Sequence, residues 1–348
     1  MKKPLAAIAL VSVASLTLAG CATGSGSGDS ADAGGDGIRV VASTNVYGDI
    51  ATRIGGDHVA VTSVISSLSQ DPHEYEASAA DQLTVKKAQL IVENGGGYDS
   101  FMESLRDAVG TDAGVVTAVE YSHDYPDAKV DDHAETDAEH SDEHEHSDAE
   151  SSEDEHAHDH ADGHEGHEGH DHIEGFNEHV WYDPHTVSHV AEAIAEQLIE
   201  LDAPNMADYE QNLADFQGDI EGLETSLDEI RAAHEGDKVF VTEPVPVYLA
   251  QSAGLVNVTP DAFSEAVEEG QDVPPATLLE ALDLIDAGDI AVLFANAQTG
   301  GAETTQVIDA AEKAGTPVQE VTELVPDGKT YISWMQDTIA DLAGNLDR

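Results

Sequence analysis

Residues 209–230 read YEQNLADFQGDIEGLETSLDEI, and Tyr209, Leu213, Phe216, Ile220, Leu223, Leu227 and Ile230 recur in it at alternating spacings of four and three. That pattern is one long helix with a continuous, narrow apolar stripe, ending near His234-Glu235-Gly236. A stripe of this kind implies packing along its length against other elements, with coiled-coil dimerisation as the alternative. Pro204 stands ahead of it where a first helical turn tolerates proline. Upstream, Val187 to Leu201 is apolar at 187, 190, 194, 198 and 201 and reads as a further helix.

On both sides of this spine, strands alternate with helices. On the N-terminal side, Ile38–Ala42, His58–Ile65, Leu90–Val92 and Val115–Val119 read as strands, with helices at Val46–Ile54, Ala77–Ala88 and Tyr98–Val109. On the C-terminal side, Lys238–Thr242, Ile290–Phe294 and Pro317–Val321 read as strands. Helices are predicted there at Val247–Ala253, Pro274–Ala287, Glu303–Ala314 and Lys329–Leu346. Such alternation predicts an α/β protein with parallel sheets. No internal repeat is legible, although the two halves alternate alike.

The regularity fails between His123 and His172. Those fifty residues hold twelve of the eighteen histidines and twenty carboxylates, with a single lysine and almost no apolar side chains. The composition cannot bury enough surface to offset ordering entropy, so a disordered loop is expected. His140-Ser141-Asp142-Glu143-His144 matches a metallopeptidase pattern by letter, but no apolar face would hold a helix there.

Lys2 and Lys3 precede a short apolar run, Leu5 to Leu18, so residues 1–20 read as a signal segment rather than fold. It closes on Leu18-Ala19-Gly20-Cys21, which resembles the lipobox of bacterial lipoproteins; that resemblance makes Cys21 the lipidated residue. Cys21 is the only cysteine, which excludes an intramolecular disulfide and a thiolate metal cluster. Residues 21–37 are Gly, Ser and Asp rich, as in a flexible tether. No other segment approaches membrane-spanning length, and an exported, membrane-anchored protein is expected. The formal charge of −58 argues against nucleic acid or an anionic lipid surface as partner and suits attraction of cations.

Two histidines stand in similar aromatic and acidic settings: Asp71-Pro72-His73-Glu74-Tyr75-Glu76 and Phe176-Asn177-Glu178-His179-Val180-Trp181-Tyr182-Asp183-Pro184. Ligands of open α/β sheets bind beyond the carboxyl ends of strands. His73, Glu243 and Glu323 each follow a predicted strand, and His179 precedes a helix. Two imidazoles and two carboxylates can close a site around Zn²⁺, or around Mn²⁺ if the carboxylates bind through both oxygens. His185 and His189, spaced i, i+4, suit a metal or an ordinary helix surface, and His185 is the reserve ligand. His58 at a strand start and His234 at a helix end have structural explanations.

These marks, with Gly55-Gly56-Asp57, Asn94-Gly95-Gly96-Gly97-Tyr98, Val241-Thr242-Glu243 and the tail from Thr322 to Lys329, resemble the zinc- and manganese-specific solute-binding lipoproteins of ABC transporters. The resemblance runs from about residue 38 to the C-terminus, the biased tract excepted. It implies two α/β lobes, 38–201 and 236–348, joined by one rigid linking helix at 204–235, with the metal between the lobes. It places His73, His179, Glu243 and Glu323 on the family's ligand positions. A glutamate at 243 leans to manganese; a histidine tract typically marks zinc members, so zinc is put first. It further implies a monomer that delivers its ion to a membrane permease with an ATPase subunit, outside the cytoplasm, and no enzymatic activity. The competing readings are a metallohydrolase, which would need an open coordination position and a general base, and a surface adhesin or passive metal buffer.

Overall fold

The computed structural model describes residues 37–126, 128–129, 173 and 175–348. The expected signal segment and tether, with Cys21, and most of the His123–His172 tract lie outside the described residues.

The first lobe is built on β1 (Ile38–Thr44), β2 (Val59–Ile65), β3 (Leu90–Glu93) and β4 (Gly114–Thr117), all parallel and ordered β2-β1-β3-β4. Their connections are α1 (Asn45–Gly55), α2 (Ala79–Val85) and α3 (Ser100–Val109). β1 and β3 are buried on both faces, which is why Val40-Val41-Ala42 and Leu90-Ile91-Val92 read as continuous apolar runs. His58 does not begin β2 as expected. It ends a 3-10 turn (Gly56–His58), where its Nε2 lies 2.9 Å from Asp208 Oδ2. Helix α2 is shorter than the pattern predicts, because Ser78 and Asp81 cap it reciprocally and exclude residues 77–78.

After α4 (Pro184–Leu201) comes α5 (Met206–His234), 29 residues long. Six of its seven stripe residues are buried, and Leu213 is half-buried. One end is tied to α1 by Asn212 Nδ2 donating to the Ile54 carbonyl at 2.9 Å. The other is tied to α6 (Val247–Ser252) by Arg231, whose Nη2 donates to the Ser252 carbonyl at 2.6 Å. The stripe therefore packs against both lobes, the first of the two alternatives the periodicity allowed.

The second lobe holds β5 (Lys238–Val241), β6 (Val256–Asn257), β7 (Ile290–Asn296) and β8 (Val318–Val321), parallel and ordered β6-β5-β7-β8. Helices α7 (Asp261–Glu268), α8 (Pro275–Asp286), α9 (Ala302–Ala314) and α10 (Tyr331–Leu346) complete it. β6 and α7 have no counterpart among the elements expected from sequence. A two-residue strand carries no periodicity, and α7 has only two buried residues, Phe263 and Ser264. The two sheets share one topology, a repeat at the level of fold that the residues do not spell. The largest core cluster is continuous across α1, α4, α5, β5, β7 and α10, so the lobes share buried surface rather than meeting only at a hinge.

Candidate metal centre

The carboxyl ends of both sheets feed one cleft. The loop after β2 carries His73; its backbone N–H donates to Asp71 Oδ1 at 2.9 Å, a turn that fixes the imidazole's approach. The loop after β3 is Gly95-Gly96-Gly97, with φ of 80°, 69° and 101°, values that side chains disfavour. It swings Tyr98 under the histidines, whose ring centroids lie 4.9 Å (His73) and 5.7 Å (His179) from that of Tyr98. Trp181 packs edge-on to His179 at 5.1 Å.

His179 is fully buried, and Asn177 sets its tautomer. Asn177 Nδ2 donates to the Pro244 carbonyl at 3.0 Å, so Oδ1 faces the other way and accepts from His179 Nδ1–H at 2.7 Å. With the proton on Nδ1, the Nε2 lone pair faces the cleft, 3.5 Å from Glu268 Oε1. His73 Nε2 is 3.9 Å from Glu323 Oε2. His73, His179 and Glu268 each present a ligand atom, and these atoms lie within 4.8 Å of one another.

The four residues expected from sequence thus divide. His73 and His179 come together, and Glu323 stands beside His73. Glu243 is buried too, but its oxygens are engaged elsewhere: one by the Thr299 hydroxyl, the other by Asn296 Nδ2 at 2.8 Å. The same Asn296 nitrogen donates to Glu323 Oε1 at 2.7 Å, so Asn296 bridges the two carboxylates. The reserve residue His185 is exposed and pairs with Glu224 instead. Glu268, which joins the histidines, was not foreseen. One signal for it was available once α7 was placed: a glutamate in the last helical turn opposes the helix dipole, an arrangement usually avoided.

Burial shapes the electrostatics. Glu323 is pushed up to about 8, first by burial and then by the charges of Glu243 and Asp71, against the pull of Asn296. Glu268 is raised in the same direction by burial, then by Glu178, Glu243 and Glu323. Glu268 Oε1 and Glu323 Oε2 are buried, facing His179 Nε2 at 3.5 Å and His73 Nε2 at 3.9 Å. Crowded, desolvated carboxylates beside two imidazole nitrogens form a donor set that a divalent cation neutralises and a substrate carbonyl does not.

Two α/β lobes bridged by a long helix, with buried nitrogen and oxygen donors at their shared cleft, define a bilobed α/β fold whose cleft suits a metal ion. The profile of the family described as zinc-uptake complex component A, periplasmic, matches residues 40–345, and the chain belongs to that family. The manganese-binding lipoprotein MntA of Bacillus subtilis is 36% identical over 103 residues, 30% of this chain and 32% of that protein. The chain thus spans about a third of the length of the curated relatives it matches. Among solved structures, the periplasmic zinc-binding protein TroA of Treponema pallidum superposes with a TM-score of 0.65 at 17% identity, over 90% of this chain and all of that one. A crystal structure of ZnuA gives 0.62 at 20% identity, over 89% and 99%. These likenesses carry the fold.

Proposed function

We propose that the chain captures a divalent transition ion outside the cytoplasm and hands it to the permease of an ABC importer driven by an ATPase subunit, with no chemistry on the ion. The observation that carries this reading is the convergence of His73, His179 and Glu268 within 4.8 Å in a buried interlobe cleft, with Glu323 beside them. Zn²⁺ is the cargo we put first: two imidazoles with one or two carboxylates suit its tetrahedral nitrogen and oxygen coordination at about 2.0–2.2 Å. His73, His179, Glu268 and Glu323 form the primary set. Glu243 is linked to that set through Asn296, which donates to both Glu243 and Glu323.

A second reading, Mn²⁺, is favoured by the number of carboxylates around the two histidines and by the manganese-binding name of the Bacillus subtilis relative. Lipidation of Cys21 and a monomeric state complete the proposal.

Elemental analysis of protein purified without added metal, followed by competition between Zn²⁺ and Mn²⁺, tests the assignment. One tightly held zinc per chain is expected, lost on His73→Ala or His179→Ala. Tight binding that survives both substitutions would overturn the cleft as the site.

A further inference from the structure

Away from the cleft, the first turns of α4 place His185 and His189 on one helical face, a turn apart. Their rings stand edge to face, with centroids 4.8 Å apart and planes at 85°, and their Nε2 atoms are 3.3 Å apart. Two nitrogens bound to one tetrahedral ion at about 2.0–2.1 Å lie about 3.3 Å from each other, so the pair already has the spacing of a chelate.

The opposite edges of both rings face carboxylates. Glu224 Oε1, on α5, is 3.7 Å from His185 Nδ1, and Glu192 Oε2 is 3.6 Å from His189 Nδ1. Both separations exceed a hydrogen bond, so the carboxylates add negative charge beside the pair without fixing either tautomer. Across that 3.3 Å, two unprotonated Nε2 atoms can share a cation. A single shared proton would do the same in an imidazole–imidazole hydrogen bond, and the experiment must separate the two.

We propose that His185 and His189 form a second, solvent-facing site for a divalent ion of imidazole preference, zinc first, with water completing the coordination. His185 is 66% exposed and His189 33%, so the ion would exchange readily and bind more weakly than one enclosed in the cleft. The site is independent of the cleft assignment and stands whether or not the cleft carries metal.

The test uses the full chain, labelled with ¹⁵N in its histidines, with His185→Gln and His189→Gln assigning the two rings. On titration with Zn²⁺ alone, the Nε2 resonances of both rings should shift together. Either substitution should weaken the response of the remaining ring at least tenfold. Rings that do not respond up to about 1 mM zinc overturn the proposal, since no affinity worth the name of a site remains there. So does a remaining ring that responds at unchanged zinc concentration, because each histidine would then act alone. Equilibrium dialysis of the same variants should show the tightest zinc retained; its loss in both would merge the pair with the cleft and equally overturn a separate site.

Discussion

Asn177 is a side chain that need not touch an ion to shape the proposed centre. It fixes the His179 tautomer with Oδ1 and anchors to the other lobe through Nδ2. Asn177→Ala should weaken zinc binding by about 10–100-fold, the usual cost of losing such a partner, while leaving the stoichiometry unchanged. Calorimetric titration checks this. The carboxylates can be ranked in the same way. Glu268→Gln should lower affinity at least tenfold, whereas Glu243→Gln should cost less, because Glu243 is already committed to Thr299 and Asn296; the reverse order would put Glu243 in the primary set. A separate titration concerns Glu93, in β3, which burial and then Asp99 push up to about 7 against the pull of Arg106. A carboxyl group raised in the folded state binds its proton more tightly there than in the unfolded chain. The folded state is therefore favoured below about 4.5, and that contribution is lost as pH rises to about 7. At 1.36 kcal/mol per pH unit, the loss is about 3 kcal/mol. Glu93→Gln should remove this component from a plot of unfolding free energy against pH; an unchanged slope between those values would refute the assignment.

At the scale of elements, α5 is the informative piece. Its apolar stripe is buried, yet Gly218 and Gly222 lie on its exposed side, where an added Cβ meets nothing within 4 Å. Glycine inside a helix costs about 0.5–1 kcal/mol relative to alanine. Gly218→Ala and Gly222→Ala should each stabilise the protein by about that amount, roughly additively, measured by denaturant unfolding. Phe216, fully buried, packs with its centroid 6.3 Å from that of Tyr331 at the start of α10. Phe216→Ala should cost about 3–5 kcal/mol, the range for truncating a fully buried phenylalanine.

For the molecule as a whole, the contacts between lobes limit motion. Asn45 of α1 makes two hydrogen bonds to the backbone of Val325, and Tyr182 Oη donates to the Thr322 carbonyl at 2.8 Å. Tyr331 spans the same boundary, its backbone N–H donating to Asp49 Oδ2 and its hydroxyl to the Trp181 carbonyl. Zinc addition should therefore shift loops and tilt the lobes slightly, leaving the radius of gyration unchanged in solution scattering; a wide closure would contradict the shared core. Zinc at a hundredfold over its dissociation constant stabilises by about 2.7 kcal/mol, which is about 5–10 °C in melting temperature for lobes of this size. His73→Ala should abolish most of that shift.

The α/β class, the spine at residues 209–230 and the two histidines were legible in the sequence because each rests on short-range regularity: strand runs, a stripe at spacings of four and three, and histidines set among aromatics just beyond strand ends. Helix ends slipped where capping decided them, as at Ser78 and Asp81. Tertiary structure decided what depends on distances between segments far apart in the chain. It gave the two sheets one topology and engaged Glu243 with Thr299 and Asn296. It also brought Glu268, from a helix too short to announce itself, to the face of His179. Whether Glu268 meets His179 is a matter of where a side chain ends after 88 intervening residues, 180 to 267, have folded, and no local pattern encodes that.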